Sequence, residues 1–423
     1  MNRYTSASEA VRLIESGQRV FVHGGAATPQ VLLDALLEDS ARLQGVELMH
    51  LHTEGPAKYA DEKLSGHFRV ANLFVGGNMR GRVDLDRVDY LPCFLSEIPA
   101  LFRSGKRPID VALLHLSPPD EHGYCSLGTS IDVARAAFDV ARVVIAQVNP
   151  RMPRTHGDAF IHASEIDAWV SVDAPLPEAK ACSLSVEAKE IGRRVAGLVE
   201  DGDCLQAGIG AVPDAVLRAL QGHRHLGVHT EMWSDGMLEL LRCGAVDNSR
   251  KAVHAGKTVS SFVMGSRALY DFIDDNASVA FYGADYVNSP HIIARNPGVV
   301  AINSAVEIDL TGQVCADSIG SRIISGVGGQ MDFIRGASLS KGGKPIIALT
   351  SRTAKGCPRI VSRLKMGAGV VTTRAHMHFV ATEHGIVDLA GKTLGERARA
   401  LIQIAHPDDR EALAREWHQV TQC

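Results

Sequence analysis

Short apolar runs recur along the chain, and most of them end in glycine or in polar residues. In the first half the runs cover residues 46–51, 68–75, 109–116 and 143–148, and in the second half 299–303 and 345–349. Strands of a parallel sheet are apolar on both faces, and their carboxyl ends open into loops that bind ligands. The pattern therefore predicts an α/β protein with mainly parallel sheets.

Residues 203–236 show this pattern of strand, glycine-containing loop and helix most clearly. An apolar strand breaks into Gly208-Ile209-Gly210, and a helix begins near Pro213, where the first turn tolerates proline. A second short strand covers residues 226–230, and Glu231 follows it. If the two strands are parallel neighbours, the glycine loop and the Glu231 carboxylate face one edge of the sheet.

A repeated sequence pattern predicts that the chain contains two similar halves. Gly17 precedes a strand, a small-residue loop and Pro29, and the same order recurs from Gly202 to Pro213. Residues 173–185, with two prolines, read as a linker. We expect two tandem open α/β domains, residues 1–182 and 183–423.

Composition narrows the possible partners and compartment. The net charge is −4, so neither nucleic acid nor an anionic membrane is an expected partner. No apolar run reaches the length of a membrane span, and the N-terminus lacks a signal peptide's pattern. The eight cysteines form no Cys-x-x-Cys pair, so we expect a cytoplasmic protein without structural zinc.

The glycine loop and Glu231 are the best candidates for chemistry. Gly208-x-Gly210 lacks the third glycine of a dinucleotide fingerprint, so it is either a tight turn or a backbone N–H cradle for a phosphate or an oxyanion. Glu231 could act as a general base or as a nucleophile. Its rivals near strand ends are Glu54, Glu97, Glu121 and Glu383.

Several longer motifs carry a resemblance across essentially the whole chain. They are residues 117–128, 147–154, 208–213, 229–236, 325–333 and 382–389. In this order they resemble the acetyl-CoA hydrolase/transferase family, and within it the 4-hydroxybutyrate and butyrate:acetate CoA-transferases.

The resemblance implies two CoA-transferase domains and a set of roles. Glu231 would be the catalytic nucleophile, and the N-terminal domain would face the acyl group. The implied CoA contacts are Gly208, Ile209, Gly210, Ala211, Val212, Asn303, Ser325, Gly329 and Lys341. The reaction would be ping-pong exchange of CoA between an acyl-CoA and a short-chain carboxylate, through a glutamyl-CoA thioester. Coenzyme A would be a substrate and transient adduct, with no metal or permanent cofactor, in a homodimer.

The sequence does not show which acyl group is transferred. We expect its pocket in the first half, at Glu54, Gly77, Asn78, Gln147, Asn149 and Met152. Acetate, butyrate and 4-hydroxybutyrate stay open as acids. An acyl-CoA hydrolase using the same glutamate is the alternative function, and an inactive CoA-binding sensor is a remote one.

Overall fold

A computed structural model describes residues 4–179 and 183–421. The chain divides into two compact units, one holding Met1–Lys180 with Val259–Val287, the other Ala181–Thr258 with Asn288–Cys423. The predicted boundary between residues 182 and 183 lies at the edge of the stretch outside the described residues. Residues 259–287, which the sequence placed in the second domain, group with the first unit.

The strands are short, and six of them overlap the apolar runs predicted at 46–51, 68–75, 109–116, 143–148, 299–303 and 345–349. In chain order they are β1 (Arg19–Val22), β2 (Val46–His50), β3 (Phe68–Asn72), β4 (Val88–Tyr90), β5 (Val111–Leu116), β6 (Tyr124–Ser126), β7 (Val143–Val148), β8 (His156–Gly157), β9 (Phe160–His162), β10 (Ala168–Ser171), β11 (Cys204–Ala207), β12 (Gly227–Val228), β13 (Met232–Trp233), β14 (Thr258–Ser260), β15 (Phe262–Val263), β16 (Val279–Phe281), β17 (Val299–Asn303), β18 (Glu307–Asp309), β19 (Val314–Cys315), β20 (Ser318–Ile319), β21 (Arg322–Ile323), β22 (Lys344–Ala348), β23 (Ile360–Val361), β24 (Phe379–Thr382) and β25 (Gly385–Asp388).

The α-helices lie mostly between these strands. They are α1 (Ala7–Ala10), α2 (Gln30–Glu38), α3 (Ile98–Arg103), α4 (Ala134–Val140), α5 (Val186–Ala196), α6 (Ala211–Ala219), α7 (Asp235–Arg242), α8 (Arg267–Ile273), α9 (Ala284–Val287), α10 (Pro290–Ile293), α11 (Gln330–Leu339), α12 (Leu394–Ile404) and α13 (Pro407–Thr421). Across the described residues, none of the helices has the length and apolar character to cross a bilayer.

The first unit is built on a seven-stranded sheet in the order β10-β7-β5-β1-β2-β3-β4. Every neighbouring pair in it is parallel. Val20, Val22, Leu48, Val111 and Leu113 are fully buried, as expected for strands covered on both faces. The predicted parallel α/β architecture is confirmed.

The second unit repeats the design with a six-stranded sheet, in the order β12-β11-β17-β22-β24-β25. All pairs are parallel except the last, where β25 turns back against β24. Its core includes Ile334, Ile347, Val380 and Leu401, contributed by strands and by the helices that cover them. The sheet thus presents one carboxyl edge, with β11 and β12 side by side.

The two echoed strand–loop–helix units differ where their helices begin. Pro29 is the residue before α2, whereas Pro213 is the third residue of α6. Helix α6 therefore begins at Ala211, directly after Gly210, and earlier than the apolar spacing predicted. Proline is accepted there because the first turn's N–H groups have no intrahelical acceptor.

Helix α6 is held in place by close packing against α5. A Cβ added at Gly192, inside α5, would lie 2.6 Å from the Ala215 carbonyl oxygen. The two helix backbones therefore approach each other more closely than any residue but glycine allows. This contact fixes the direction in which the N-terminus of α6 points.

We expect Gly192→Ala to destabilise the protein by about 1–3 kcal/mol, because the added methyl forces α5 and α6 apart. Urea unfolding measures the change. Gly222→Ala is the matched control, since a Cβ at Gly222 meets no atom within 4 Å. Equal stability of the two variants would contradict the close packing.

Candidate active site

The register of β11 and β12 brings the glycine loop and Glu231 to one edge of the second sheet. Cys204 pairs with Gly227 and Leu205 with Val228. Gly208 and Glu231 each follow the first of these pairs by four residues, so both lie past the carboxyl ends of parallel neighbours. The placement predicted from the sequence is confirmed.

The loop after β11 presents backbone groups and one exposed apolar side chain. Gly210 has φ of 117°, a conformation that favours glycine, and it immediately precedes α6. Helix geometry leaves the N–H groups of Ala211 and Val212 without an intrahelical acceptor, and Pro213 has no N–H. Ile209 is 63% exposed. The N-terminus of α6 is therefore suited to an anion, with the Ile209 side chain at its border.

The Glu231 carboxylate is held by an amide and a helix N-terminus. Asn288 Nδ2 donates a hydrogen bond of 2.7 Å to Glu231 Oε2. A Cβ at Gly329 would lie 1.8 Å from the same oxygen, so only glycine permits this approach. Gly329 is the residue before α11, whose N-terminal end carries partial positive charge. The carboxylate is thus oriented and stabilised as an anion.

A second carboxylate lies behind the first. Asp332, in the first turn of α11, is buried, and its Oδ2 is 3.5 Å from Asn288 Nδ2. Asn288 is itself fully buried. The Asn288 amide nitrogen therefore faces the carboxylates of Glu231 and Asp332, and these two groups hold it in position.

The outer edge of β12 is closed by side chains. Val228 N–H donates to Asn248 Oδ1 at 2.8 Å, and Lys251 Nζ donates to the Val228 carbonyl at 2.7 Å. Lys251 Nζ also donates to the Lys257 carbonyl at 2.6 Å. Lys251 is only 5% exposed. Its two acceptors are neutral carbonyls, and burial lowers the pKa of Lys251 to about 8, with a smaller opposing effect from Cys204.

The other predicted CoA contacts are divided between two edges of the sheet. Asn303 lies at the end of β17. Its Nδ2 donates to Gln206 Oε1, and its Oδ1 lies 3.8 Å from a Cβ built at Gly208.

Ser325 and Lys341 lie elsewhere in the second unit. Ser325 follows β21, and its N–H donates to the Asp317 carbonyl. The Lys341 carbonyl instead accepts from Gly298, which precedes β17. The structure brings Asn303 to the carboxyl edge and places the Lys341 backbone at the amino edge.

In the first unit, the predicted pocket residues near β2 and β3 lie on connected loops. Glu54 N–H donates to Thr28 Oγ1 at 2.9 Å. Asn78 Nδ2 donates to the carbonyls of Thr53 and Gly55, at 2.8 and 3.1 Å. The Glu54 carboxyl is half-buried, and burial raises its pKa. Gly77 is exposed.

The remaining three predicted pocket residues are enclosed in the first unit. Gln147 Oε1 accepts from Val31 N–H, and Asn149 Nδ2 donates to the Ala174 carbonyl at 2.8 Å. Met152 is buried, and a Cβ at Gly128 would lie 2.1 Å from its Sδ. These side chains contact helix α2, the segment after β10 and the loop after β6, and their contact with substrate stays a prediction.

Two family descriptions match the chain. The acetyl-CoA hydrolase/transferase N-terminal domain matches residues 1–179, and the corresponding C-terminal domain matches residues 265–417. The chain belongs to the acetyl-CoA hydrolase/transferase family. Residues 203–236, which carry the glycine loop and Glu231, lie between the two matched ranges.

Members of the family resemble this chain over nearly its whole length. A succinyl-CoA:acetate/propanoyl-CoA:succinate CoA transferase of Fasciola hepatica is 51% identical, over 97% of this chain and 86% of the relative. A 4-hydroxybutyrate coenzyme A transferase of Clostridium kluyveri is 48% identical, over 98% and 97%. The crystal structure of RipA from Yersinia pestis superposes with a TM-score of 0.95 at 36% identity, covering 100% of this chain and 98% of RipA.

The hydrolases of the family are more distant. An acetyl-CoA hydrolase of Saccharomyces cerevisiae is 25% identical, over 96% of this chain and 87% of the yeast protein. Relatives of high identity are CoA-transferases, and the chain is accordingly an acyl-CoA:carboxylate CoA-transferase.

Asn288, which contacts the candidate Glu231 carboxylate, was not predicted from the sequence. It lies in Val287-Asn288-Ser289-Pro290, between two short helices, and no motif marks it. It is separated from Glu231 by 57 positions. Asp332 was part of a recognised motif, but no spacing rule connected it with Glu231.

We expect Gly329→Ala to lower kcat at least a hundredfold, because the methyl would occupy the space of Glu231 Oε2. Steady-state kinetics and circular dichroism measure activity and folding together. Gly222→Ala is again the control. A folded Gly329→Ala variant with wild-type kcat would show that Glu231 does not react from this position.

We expect the stability that Lys251 contributes to increase as pH rises from about 8 to about 10.4. In that window the unfolded chain still holds the proton that the folded protein has released, so alkaline pH favours folding. Urea unfolding of wild type and Lys251→Met at pH 7.5 and 10 measures the difference between them. Lys355→Met, at an exposed lysine, is the control. A pH-independent difference between wild type and Lys251→Met would contradict the buried ammonium.

Proposed function

We propose that Glu231 is the nucleophile of this CoA-transferase. The observation that carries the proposal is the half-buried carboxylate fixed between the Asn288 amide and the backbone at Gly329. A carboxylate is a weak nucleophile, so its orientation and the stabilisation of the charge that develops must supply much of the rate.

The proposed reaction has two symmetrical halves. A Glu231 oxygen attacks the thioester carbonyl of the acyl-CoA, the C–S bond breaks, and an acyl-glutamyl anhydride and CoA thiolate form. The thiolate then attacks the glutamyl carbonyl, releasing the first carboxylate and leaving a glutamyl-CoA thioester. The acceptor carboxylate attacks this thioester and runs the steps in reverse, which gives ping-pong kinetics.

The groups around Glu231 match the charges that this sequence develops. The Asn288 amide donates to a Glu231 oxygen, and the same donor could hold the oxyanion that forms when thiolate attacks the glutamyl carbonyl. The backbone N–H groups of Ala211 and Val212 are proposed to hold CoA or an oxyanion on the acyl side. Asn303, beside Gly208, is proposed to complete this CoA-binding edge.

The acids are proposed to be short carboxylates of the acetate, butyrate or 4-hydroxybutyrate type. Relatives named for such acids support this choice. We further propose that the first unit binds the acyl chain and the second binds CoA, in a cytoplasmic homodimer. Hydrolysis by the same glutamate is the second candidate reaction, and it would require water to reach the glutamyl-CoA thioester.

We expect Glu231→Ala to abolish CoA exchange while the protein stays folded, because the carboxylate proposed to form the thioester is removed. Transfer between acetyl-CoA and carboxylates is assayed with a no-acceptor control for hydrolysis. The matched controls are Glu121→Ala, in an exposed loop, and Glu383→Ala, whose carboxylate accepts from Ser351 N–H at 2.9 Å. Near-normal transfer by Glu231→Ala, with loss in either control, would assign the nucleophile elsewhere.

We also expect borohydride to inactivate the enzyme only when acyl-CoA is present without acceptor. The glutamyl-CoA thioester is reduced to an alcohol, whereas a free carboxylate resists borohydride. The assay is residual activity after removal of the reagent, and wild-type enzyme treated with borohydride without acyl-CoA is the control. Full activity after treatment would instead support general-base catalysis.

A further inference from the structure

His52 lies where three parallel strands of the first sheet end. It follows β2, between the loops after β1 and β3. Gly25 N–H donates to the His52 carbonyl at 2.9 Å. A Cβ at Gly24 would lie 3.0 Å from that carbonyl oxygen, and one at Gly76 would lie 3.2 Å from the His52 Cβ. Glycines on both sides let the two loops close around this residue.

The His52 ring lies among aromatic and apolar side chains. Its centroid is 5.3 Å from that of Phe262 and 6.2 Å from that of Phe74. A Cβ at Gly25 would lie 3.5 Å from His52 Nε2 and 3.9 Å from Met264 Cε. We call the group of His52, Phe74, Phe262 and Met264 the His52 patch. His52, Phe74 and Met264 are half-buried, so the patch is open to solvent on one side.

The two imidazole nitrogens of His52 make no hydrogen bonds among the described residues of the first unit. Within residues 4–179 and 259–287, neither nitrogen has a hydrogen-bond partner, whereas the rings of His23, His50 and His115 do. Burial lowers the pKa of His52, against a smaller opposing effect of Asp132, so the ring is neutral at neutral pH. A neutral imidazole offers one N–H donor and one nitrogen acceptor.

We propose that the His52 patch binds the far end of a four-carbon acyl chain and that His52 hydrogen-bonds a terminal hydroxyl group there. The inference rests on the proposed function, in which the first unit binds the acyl group. Phe74, Phe262 and Met264 cover the methylene groups, and the imidazole satisfies a hydroxyl that would otherwise be buried without a partner.

The polarity of the patch favours a hydroxyl over a second carboxylate. Burial lowers the pKa of His52 more than the Asp132 carboxylate raises it, so the imidazole is neutral and cannot pair with an anion as a cation would. A terminal carboxylate would therefore lose water in a half-buried place with a neutral imidazole as its partner, which is costly. A hydroxyl carries no charge and can both donate to and accept from the ring.

The test compares three acceptors of similar length with acetyl-CoA as donor: 4-hydroxybutyrate, butyrate and succinate. We expect wild type to give the highest kcat/KM with 4-hydroxybutyrate. His52→Phe keeps an aromatic ring without the hydrogen bond, and should lower the ratio of kcat/KM for 4-hydroxybutyrate to that for butyrate about tenfold. His52→Gln, which keeps a donor and an acceptor, should lower the ratio less. His122→Phe, at an exposed histidine, should leave the ratio unchanged.

The outcomes separate the inference from the proposed function. An equal ratio in wild type and folded His52→Phe overturns the inference, and so does a wild type that prefers butyrate or succinate. A wild type that does not prefer 4-hydroxybutyrate overturns the inference even if the variants do not fold. A wild type that transfers CoA to none of the three acids would contradict the proposed function itself.

Discussion

The contact between the Glu231 carboxylate and the backbone before α11 constrains everything around it. No side chain fits at Gly329, so the carboxylate lies directly against the N-terminal end of that helix. Asn288 completes the arrangement from a fully buried position. An anion held this way has one oxygen oriented by a donor, as the proposed attack on a thioester requires, and the helix end favours negative charge. The loops and helices of the second unit have to preserve these distances.

The same sheet design serves both units, but with different consequences. In the second unit, register places Gly208 and Glu231 at neighbouring strand ends, and side chains from Asn248 and Lys251 close the outer edge of the strand before Glu231. In the first unit, three neighbouring strand ends meet around His52, among aromatic rings. The polar contacts of the second unit suit chemistry at a carbonyl. The partly apolar surface of the first unit suits selection of an acyl chain.

Periodic apolar runs were enough to predict the parallel sheets, because burial on both faces leaves few alternatives for such strands. They also placed the glycine loop and Glu231 at neighbouring strand ends, since this depends only on which strands are neighbours. Asn288 could not be predicted, because it meets Glu231 through tertiary packing from 57 residues away. The grouping of residues 259–287 with the first unit was missed for the same reason. Lys341 was placed by resemblance, and the structure puts its backbone at the opposite edge of the sheet.

The central claim is that the acceptor acid exchanges an oxygen with Glu231, and isotope transfer tests it most directly. The enzyme is incubated with acetyl-CoA and acetate labelled with ¹⁸O in both carboxylate oxygens, then digested with trypsin. Attack by acetate on the glutamyl-CoA thioester puts an acetate oxygen into the anhydride, and thiolate attack at the acetyl carbon leaves that oxygen on Glu231. Mass spectrometry of the peptide covering residues 225–242 should therefore show ¹⁸O at Glu231. Continued CoA exchange without label at Glu231 would contradict the account.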